Sequence, residues 1–349
     1  MLKIKVFGAV AATLLWTGAA MAQATVELEP GFSVDKELLA KAQKEGKVSY
    51  WCSLTEPECA KAANRFEEMT KIKMEFVRLS TGGILTRITK ERSANIHSVD
   101  VISHGDPPVW ETIYKPKKWL VQYVAEGVKK YAKEYKDADG FYAAHWMIAN
   151  GFGYNTSQVS AADAPKKYTD LLDPRWKGKI AMPHPKHSGG FNEAVTILSK
   201  MFGWDFFQKL NANQPLVTIG SQFNLKPIIV NGERQIALHG ADALFITEAK
   251  QGKPVGIIYP EEGTVLNQIF AGLVADGPNP NAGKILMEWL HSASYQTTVA
   301  ASYWLVPHPD AKYPSDRVPL KDLKVLTLPG SEAQSATEAR EKFSDIFGG

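Results

Sequence analysis

The chain has 349 residues, of which 44% are hydrophobic and 22% are charged, and its formal net charge is +3 at pH 7. This length favours two domains over one, because domains usually span about 150 residues. The nearly balanced charge excludes the basic surface with which nucleic-acid-binding proteins hold their partner, so we expect no nucleic-acid partner.

Residues 1–22 have the pattern of a cleaved signal peptide. Lys3 and Lys5 precede an apolar stretch over residues 6–21, which ends in a small-x-small site, Ala-Met-Ala, at residues 20–22. We therefore predict secretion to the periplasm, with a retained membrane anchor as the alternative. No later segment of the sequence approaches the length of a membrane span.

The chain contains two cysteines, Cys52 and Cys59. In an oxidising compartment a close, even pair predicts a disulfide. The alternative is that both are reduced, with Cys52 at the end of a buried strand and Cys59 in a helix. Six residues separate the two cysteines, which excludes a Cys-x-x-Cys redox motif.

Strand and helix patterns alternate along the first part of the mature chain. The period of the apolar residues predicts strands over residues 47–51, 73–79 and 99–102, and helices over residues 59–70 and 82–94. Alternation of this kind predicts an α/β fold with a parallel sheet.

A second α/β unit follows a long apolar, glycine-rich stretch at residues 146–154, which we interpret as a strand that crosses between two lobes. We interpret residues 270–274 as the strand that returns to the first lobe. The intervening patterns predict strands at residues 179–182, 216–219, 236–238 and 255–259, and helices at residues 191–202 and 226–231. Two more helices are predicted after the return, at residues 280–289 and 331–347.

Two lobes joined by two crossings would enclose a ligand cleft and close around the ligand by hinge motion. We assign residues 23–148 to the first lobe and residues 149–270 to the second. Residues 271–349 return to the first lobe and continue as a C-terminal extension.

Five motifs occur in a fixed order along the chain. They are the small-residue turn and helix start at residues 80–88, the Asp-led strand and Gly-Asp-Pro turn at residues 100–107, Tyr-Asn-Thr at residues 154–156, Leu-Leu-Asp-Pro-Arg-Trp-Lys-Gly-Lys-Ile at residues 171–180, and Pro-Asn-Pro at residues 278–280. Together they resemble extracellular solute-binding proteins of family 1, in the ferric-iron-binding-like branch.

The resemblance implies a type II periplasmic binding fold and a role as the substrate-binding component of an ABC importer. The partners it implies are a small-molecule ligand and an inner-membrane ABC permease. We expect a monomer without a cofactor and without enzyme activity.

The iron ligands of that branch are missing from this sequence. Iron-binding members carry a tandem tyrosine pair shortly after an Asn-Gly-Glu turn, which here is residues 231–233, but residues 238–245 contain no tyrosine. Ferric iron prefers phenolate and carboxylate oxygens. We therefore predict no metal site and a small anionic organic or phosphorylated solute. An iron site built from Asp242 with Tyr259 or Tyr154 is the alternative.

The candidate ligand residues lie at predicted helix starts and strand ends. The motifs Ser80-Thr81-Gly82 and His187-Ser188-Gly189 each precede a helix, where free N–H groups and the positive end of the helix dipole suit an anion. Ordinary helix capping is the alternative. The remaining candidates are Ser53, His104, Gln222, Asp242 and Tyr259. For Asp242 the alternative is a helix N-cap.

The sequence contains neither the His-Glu-x-x-His motif nor the Gly-x-Ser-x-Gly motif. A secreted enzyme and a sensor subunit that signals to a membrane receptor remain as alternatives to transport.

Overall fold

The computed structural model describes residues 24–348, so the predicted signal peptide lies outside the described residues. Within that range the chain has no helix that is both long and apolar enough to cross a membrane. The first half of the fold contains β1 (Thr25–Glu29), β2 (Phe32–Asp35), α1 (Lys36–Glu45), β3 (Lys47–Cys52), α2 (Glu56–Thr70), β4 (Lys73–Arg78), α3 (Thr81–Ser93), β5 (Val101–His104) and α4 (Pro107–Val109). A π-helical turn over Trp110–Tyr114 continues α4.

The second half begins with a strand of 13 residues. Its elements are β6 (Ala143–Asn155), β7 (Ile180–Pro183), α5 (Gly189–Phe202), α6 (Trp204–Ala212), β8 (Leu216–Thr218), α7 (Leu225–Val230), β9 (Ile236–Ala241), α8 (Asp242–Lys250), β10 (Val255–Ile258), β11 (Thr264–Leu273), α9 (Pro280–Leu290), α10 (Ala293–Ala300), β12 (Val325–Leu326) and α11 (Ala333–Phe347).

One continuous sheet runs through both halves in the order β4-β3-β5-β11-β6-β9-β7-β8, with β10 on β6 and β12 on β11. Strands β3, β4 and β5 are parallel, and so are β7, β8 and β9. The predicted α/β class is confirmed. We call β3–β5 with α2, α3, α4 and its π-helical turn the first unit, and β7–β9 with α5, α6 and α7 the second unit.

Strands β6 and β11 join the two units. They pair with each other in antiparallel register, and every residue of both strands is buried. Burial on both faces explains the long apolar runs from which the crossings were predicted. The return crossing begins at Thr264, earlier than the predicted residues 270–274.

Apolar cores cover both faces of the sheet in each unit. Phe66 and Trp289 lie in the core under α2 and α9, while Trp51 and Trp110 lie in the core on the other face. In the second unit the ring of Phe343 from α11 lies 5.7 Å from that of Phe191. The assignment of residues to lobes stays a prediction, but the C-terminal extension packs on the second unit.

Residues 25–45 form β1, β2 and α1, none of which the sequence analysis predicted. Within α1 only Leu39 and Ala42 are buried. Such a short buried stripe leaves a weak helical period in the sequence.

The predicted disulfide between Cys52 and Cys59 is confirmed. It joins the end of β3 to the first turns of α2, with the two Cα atoms 6.8 Å apart. Leu54, within the closed loop, is buried.

Candidate functional site

Two helix N-termini meet where the first unit contacts the second. Ser80 caps α3 by accepting a hydrogen bond from the Gly83 N–H at 3.1 Å. Ser188 caps α5 in the same way, accepting from the Phe191 N–H at 3.3 Å. A methyl group on Gly189 would lie only 3.3 Å from the Thr81 Cγ2 atom. The structure therefore brings together the two motifs that the sequence analysis singled out.

A cavity of about 160 Å³ lies between these helix ends. Its walls include Thr81, Gly82, Asp106, His187, Gly189 and Arg340. A wider groove of about 760 Å³ shares Gly82 and His187 with the cavity and extends along α3 past Arg87 and Lys90. Both helix ends are therefore accessible to a small solute.

The lining of the cavity and groove is more cationic than anionic. Four lysine and arginine side chains line them, against two carboxylates. Arg87 is already engaged, since its Nε atom lies 2.9 Å from Glu91 and its guanidinium lies 4.3 Å from the centre of the Trp51 ring. Together with the positive ends of two helix dipoles, this lining favours an anion.

Asp106 is the buried carboxylate of the cavity. Its backbone lies in the left-handed region, at φ 76°, where Asp and Asn are better tolerated than most residues. Burial raises the pKa of its carboxyl to about 6, although the nearby Arg340 opposes the shift. The Arg340 Nη2 atom lies 3.7 Å from the Asp106 Oδ2 atom.

A buried polar network lies beneath the α5 N-terminus and centres on Asn267 of β11. The Asn267 Oδ1 atom accepts a hydrogen bond from Asn150 of β6 at 2.8 Å and one from Gln222 at 3.4 Å, and His239 Nε2 lies 3.1 Å away. The Asn267 amide donates to the Gly190 carbonyl at 3.1 Å. This network joins both crossing strands to the start of α5.

Gln222, a predicted ligand residue, belongs to the same network. Its side-chain oxygen accepts a hydrogen bond of 2.9 Å from the Ser188 hydroxyl. The sequence analysis did not identify Asn150 or Asn267. Each is a polar residue within a mostly apolar strand, and this pattern could have indicated them.

Three buried acceptor atoms at this junction have no hydrogen-bond partner in the described part of the chain: Asn150 Oδ1, Asn192 Oδ1 and Glu193 Oε1. Asn192 and Glu193 follow Gly189 by three and four residues on α5, so they share the helix face that meets the first unit. Burial and the neighbouring Asp106 raise the pKa of the Glu193 carboxyl well above its usual value. The junction therefore has spare hydrogen-bond acceptors.

Two predicted ligand residues of the first unit lie away from the cavity. The His104 ring is buried, stacks on Trp110 at 4.8 Å and lies 2.9 Å from the Tyr114 hydroxyl, and burial lowers its pKa to about 4. Ser53 lies between Cys52 and buried Leu54. Its ligand role, like that of His104, stays a prediction.

Asp242 and Tyr259 form a closed network with Arg317, a residue of the C-terminal segment that the sequence analysis did not single out. The Asp242 Oδ2 atom lies 2.5 Å from Arg317 Nη2 and accepts a 2.8 Å hydrogen bond from the Tyr259 hydroxyl. Asp242 is fully buried and is the first residue of α8, whose N-cap is Ala241, so the alternative of a helix N-cap is wrong by one position. These contacts leave no free carboxylate oxygen pair for the alternative iron site.

The residues that the structure describes contain no cluster of three or more His, Cys, Asp and Glu side chains arranged to hold a metal ion.

A family model described as bacterial extracellular solute-binding protein matches residues 110–326, which is more than half of the chain. The chain belongs to this family. The predicted family resemblance is thereby confirmed. The family role is solute binding, so the junction between the two units is a candidate binding site.

Two curated relatives of this solute-binding protein are similar along most of its length. An uncharacterized protein of Haemophilus influenzae is 25% identical over 288 residues, which are 78% of this chain and 79% of the relative. A Salmonella paratyphi A protein named "Putative 2-aminoethylphosphonate-binding periplasmic protein" is 25% identical over 263 residues, 72% of this chain and 74% of the relative.

Solved structures of other binding proteins share the fold of this solute-binding protein. The periplasmic binding protein AfuA of Actinobacillus pleuropneumoniae, solved with exogenous fructose 6-phosphate, matches with a TM-score of 0.78 at 21% identity, covering 86% of this chain and 98% of AfuA. Iron-bound HitA of Pseudomonas aeruginosa matches with a TM-score of 0.74 at 17% identity, covering 86% and 99%. These matches confirm the predicted type II periplasmic binding fold.

Proposed function

We propose that the chain is the periplasmic substrate-binding component of an ABC importer. Its ligand is a small anionic solute, and phosphonates and phosphate esters are the class that the site favours. The protein acts as a non-catalytic monomer that delivers the solute to an inner-membrane permease. The observation that carries this proposal is the meeting of the α3 and α5 N-termini at a cavity with a cationic lining.

The physical basis is the set of free backbone N–H groups at each helix start. An anion near one helix N-terminus gains about 0.3 to 1 kcal/mol, and up to about 2 kcal/mol where the site is partly buried. Two such termini, from the two units, act on the same solute only when the units are close together. Binding is therefore coupled to closure.

The comparisons support the same class of ligand. The Salmonella relative is named for a phosphonate, and the AfuA structure contains a sugar phosphate. Both compounds carry a phosphorus oxyanion.

The test is a thermal-shift and calorimetric comparison of 2-aminoethylphosphonate, fructose 6-phosphate, inorganic phosphate and ferric citrate. A bound solute at 100 times its Kd stabilises the folded state by about 2.7 kcal/mol. We expect at least one phosphorus oxyanion to raise the melting temperature. Stabilisation by ferric citrate alone would overturn the proposed ligand class.

Two substitutions of Gly82, one charged and one neutral, provide a matched comparison for the same experiment. It lines both the cavity and the groove, and a methyl group there would meet no atom within 4 Å. Gly82→Asp places a negative charge at the start of α3, which suits the helix dipole but repels an anionic solute. We expect affinity to fall at least tenfold, about 1.4 kcal/mol, without loss of stability. Gly82→Ala is the matched control and should bind normally.

A further inference from the structure

We propose that the C-terminal helix α11 is a third wall of the ligand site, and that Arg340 on this helix is a specificity-determining residue that binds the anionic group of the solute. The inference rests on the proposed function, because it requires an anion at the meeting point of α3 and α5. The family match ends at residue 326 and so assigns no role to α11.

Helix α11 is held firmly by the second unit. Phe343 is fully buried, and its ring lies 5.8 Å from that of Phe207. The Asn211 amide donates a 2.9 Å hydrogen bond to the Ile346 carbonyl, and His184 Nε2 lies 2.9 Å from the Gly348 carbonyl oxygen. The position of α11 relative to α5 is therefore fixed by packing along its C-terminal half.

The N-terminal side of the same segment reaches the first unit. A methyl group on Gly330 would lie 2.6 Å from the Glu111 Cγ atom and 3.5 Å from the Pro107 carbonyl oxygen. Arg340 faces Asp106, which follows β5. The C-terminal segment thus spans the junction on one side of the cavity.

One face of α11 lines the cavity. Its cavity residues are Ala333, Ala336, Thr337 and Arg340, spaced at i, i+3, i+4 and i+7. Residues at this spacing lie on one side of a helix. The two alanines leave space, so Arg340 is the long cationic side chain that this face presents, opposite Thr81 and Gly82.

Arg340 has unused donor capacity. Its Nε atom is buried and has no hydrogen-bond partner among residues 24–348, and the 3.7 Å separation from Asp106 is too long for a hydrogen bond. A buried donor without a partner destabilises the folded state, and more so when it is charged. A phosphonate or phosphate would supply the missing acceptors, because the planar guanidinium binds such groups through two parallel hydrogen bonds.

Asp106 has a positioning role in this arrangement. Its carboxylate draws the guanidinium towards the first unit, so Arg340 points at the helix ends before a solute arrives. An anion that binds there is contacted from the first unit, from α5 and from α11 at the same time.

The test is isothermal titration of 2-aminoethylphosphonate and fructose 6-phosphate into wild type, Arg340→Gln and Arg340→Lys. We expect Arg340→Gln to weaken binding at least tenfold, and Arg340→Lys to weaken it less because the charge remains while the two-point contact is lost. The matched control is Lys342→Gln on the same helix. Lys342 is exposed and lies 5.7 Å from the Trp204 ring, so its removal should leave affinity unchanged.

The double variant Asp106→Asn, Arg340→Gln distinguishes two roles of Arg340. It either contacts the solute directly or only neutralises the charge of Asp106. If Arg340 binds the solute, the double variant stays as weak as Arg340→Gln. Recovery of wild-type affinity in the double variant would overturn the contact, because it would mean that Arg340 serves only to neutralise Asp106.

The two proposals fail in different ways. If wild type binds the probes and Arg340→Gln binds them as tightly as Lys342→Gln does, the role of Arg340 is overturned and the proposed function stands. If wild type binds neither probe, the phosphorus oxyanion class is overturned, and the role of Arg340 is overturned with it.

Discussion

Asp106 shows how one residue serves both the fold and the site. It terminates the turn after β5 with a left-handed backbone, and its carboxyl is buried between Arg340 and the Glu193 side of α5. A charge at this position is therefore opposed by burial and supported by the Arg340 guanidinium and the Val109 backbone N–H.

This setting predicts a pH dependence of stability. Burial raises the pKa of the folded Asp106 carboxyl to about 6, above its ordinary 3.8. The folded state therefore keeps a proton that the unfolded state releases, so the free energy of unfolding falls as pH rises through about 4 to 6. The size is about 2 to 3 kcal/mol, at 1.36 kcal/mol per pKa unit.

Asp106→Asn removes this titration and keeps a residue that tolerates positive φ. Thermal unfolding at several pH values should show the variant gaining stability over wild type between pH 4 and 6, with a constant difference above pH 7. Because the Asp106 charge also raises the pKa of Glu193, the comparison is made in a Glu193→Gln background. A difference that stays flat across pH would contradict the buried position of Asp106.

At the scale of elements, the two helix caps at the site are not equivalent. Ser80 is exposed and makes its one cap bond to Gly83, whereas Ser188 is buried and also donates to Gln222. The start of α5 is consequently tied to the polar network around Asn267. Within the described part of the chain, the Ser80 side chain at the α3 cap makes no comparable second hydrogen bond.

We therefore expect Ser188→Ala to be the more destabilising of two matched variants. Loss of a helix cap costs about 1 kcal/mol, and an unpaired buried side-chain oxygen on Gln222 adds about 1 kcal/mol or more. Ser80→Ala should cost the cap alone. Urea unfolding of both variants measures the difference, and equal midpoints would show that the Ser188 to Gln222 bond contributes nothing to stability.

Helix α11 could be predicted from its sequence but its neighbours could not. Residues 331–347 have helical spacing, and the observed helix, Ala333–Phe347, lies within that range. Its position against α5 depends on Phe343 meeting Phe191 and Phe207, which are more than 130 residues away. No local pattern records a contact over such a distance.

At the scale of the whole molecule, β6 and β11 connect the two units, and the candidate site lies where the units meet. A solute that contacts both units favours the closed arrangement by its extra contacts there. Gly189 already lies close to Thr81, so the starts of α3 and α5 are in contact in the described conformation. The open form is expected when no solute is bound.

Small-angle scattering tests this coupling. A protein of this size has a radius of gyration of about 20 Å, and we expect the value for the ligand-free protein to decrease measurably when the tightest-binding phosphorus oxyanion is added. Gly82→Asp at the same solute concentration is the control and should stay at the ligand-free value. A radius that is the same with and without solute in wild type would contradict closure on binding.

Short-range patterns in the sequence were sufficient to predict much of the fold. The alternation of strand and helix periods established the α/β class, the apolar stretch at residues 146–154 identified a crossing strand, and the close cysteine pair predicted the disulfide. The serine-led motifs before α3 and α5 were also recognisable, because helix caps are local. Their ligand role stays a prediction.

Only the tertiary structure decided which polar residues face the junction. Asp242 met the local criteria for a site residue, yet its partner Arg317 lies 75 positions further along the chain and closes the ion pair inside the protein. Asp106, not His104, lines the cavity because a left-handed residue turns the chain after β5. Side-chain direction and distant partners arise from packing, and the sequence carries no local record of either.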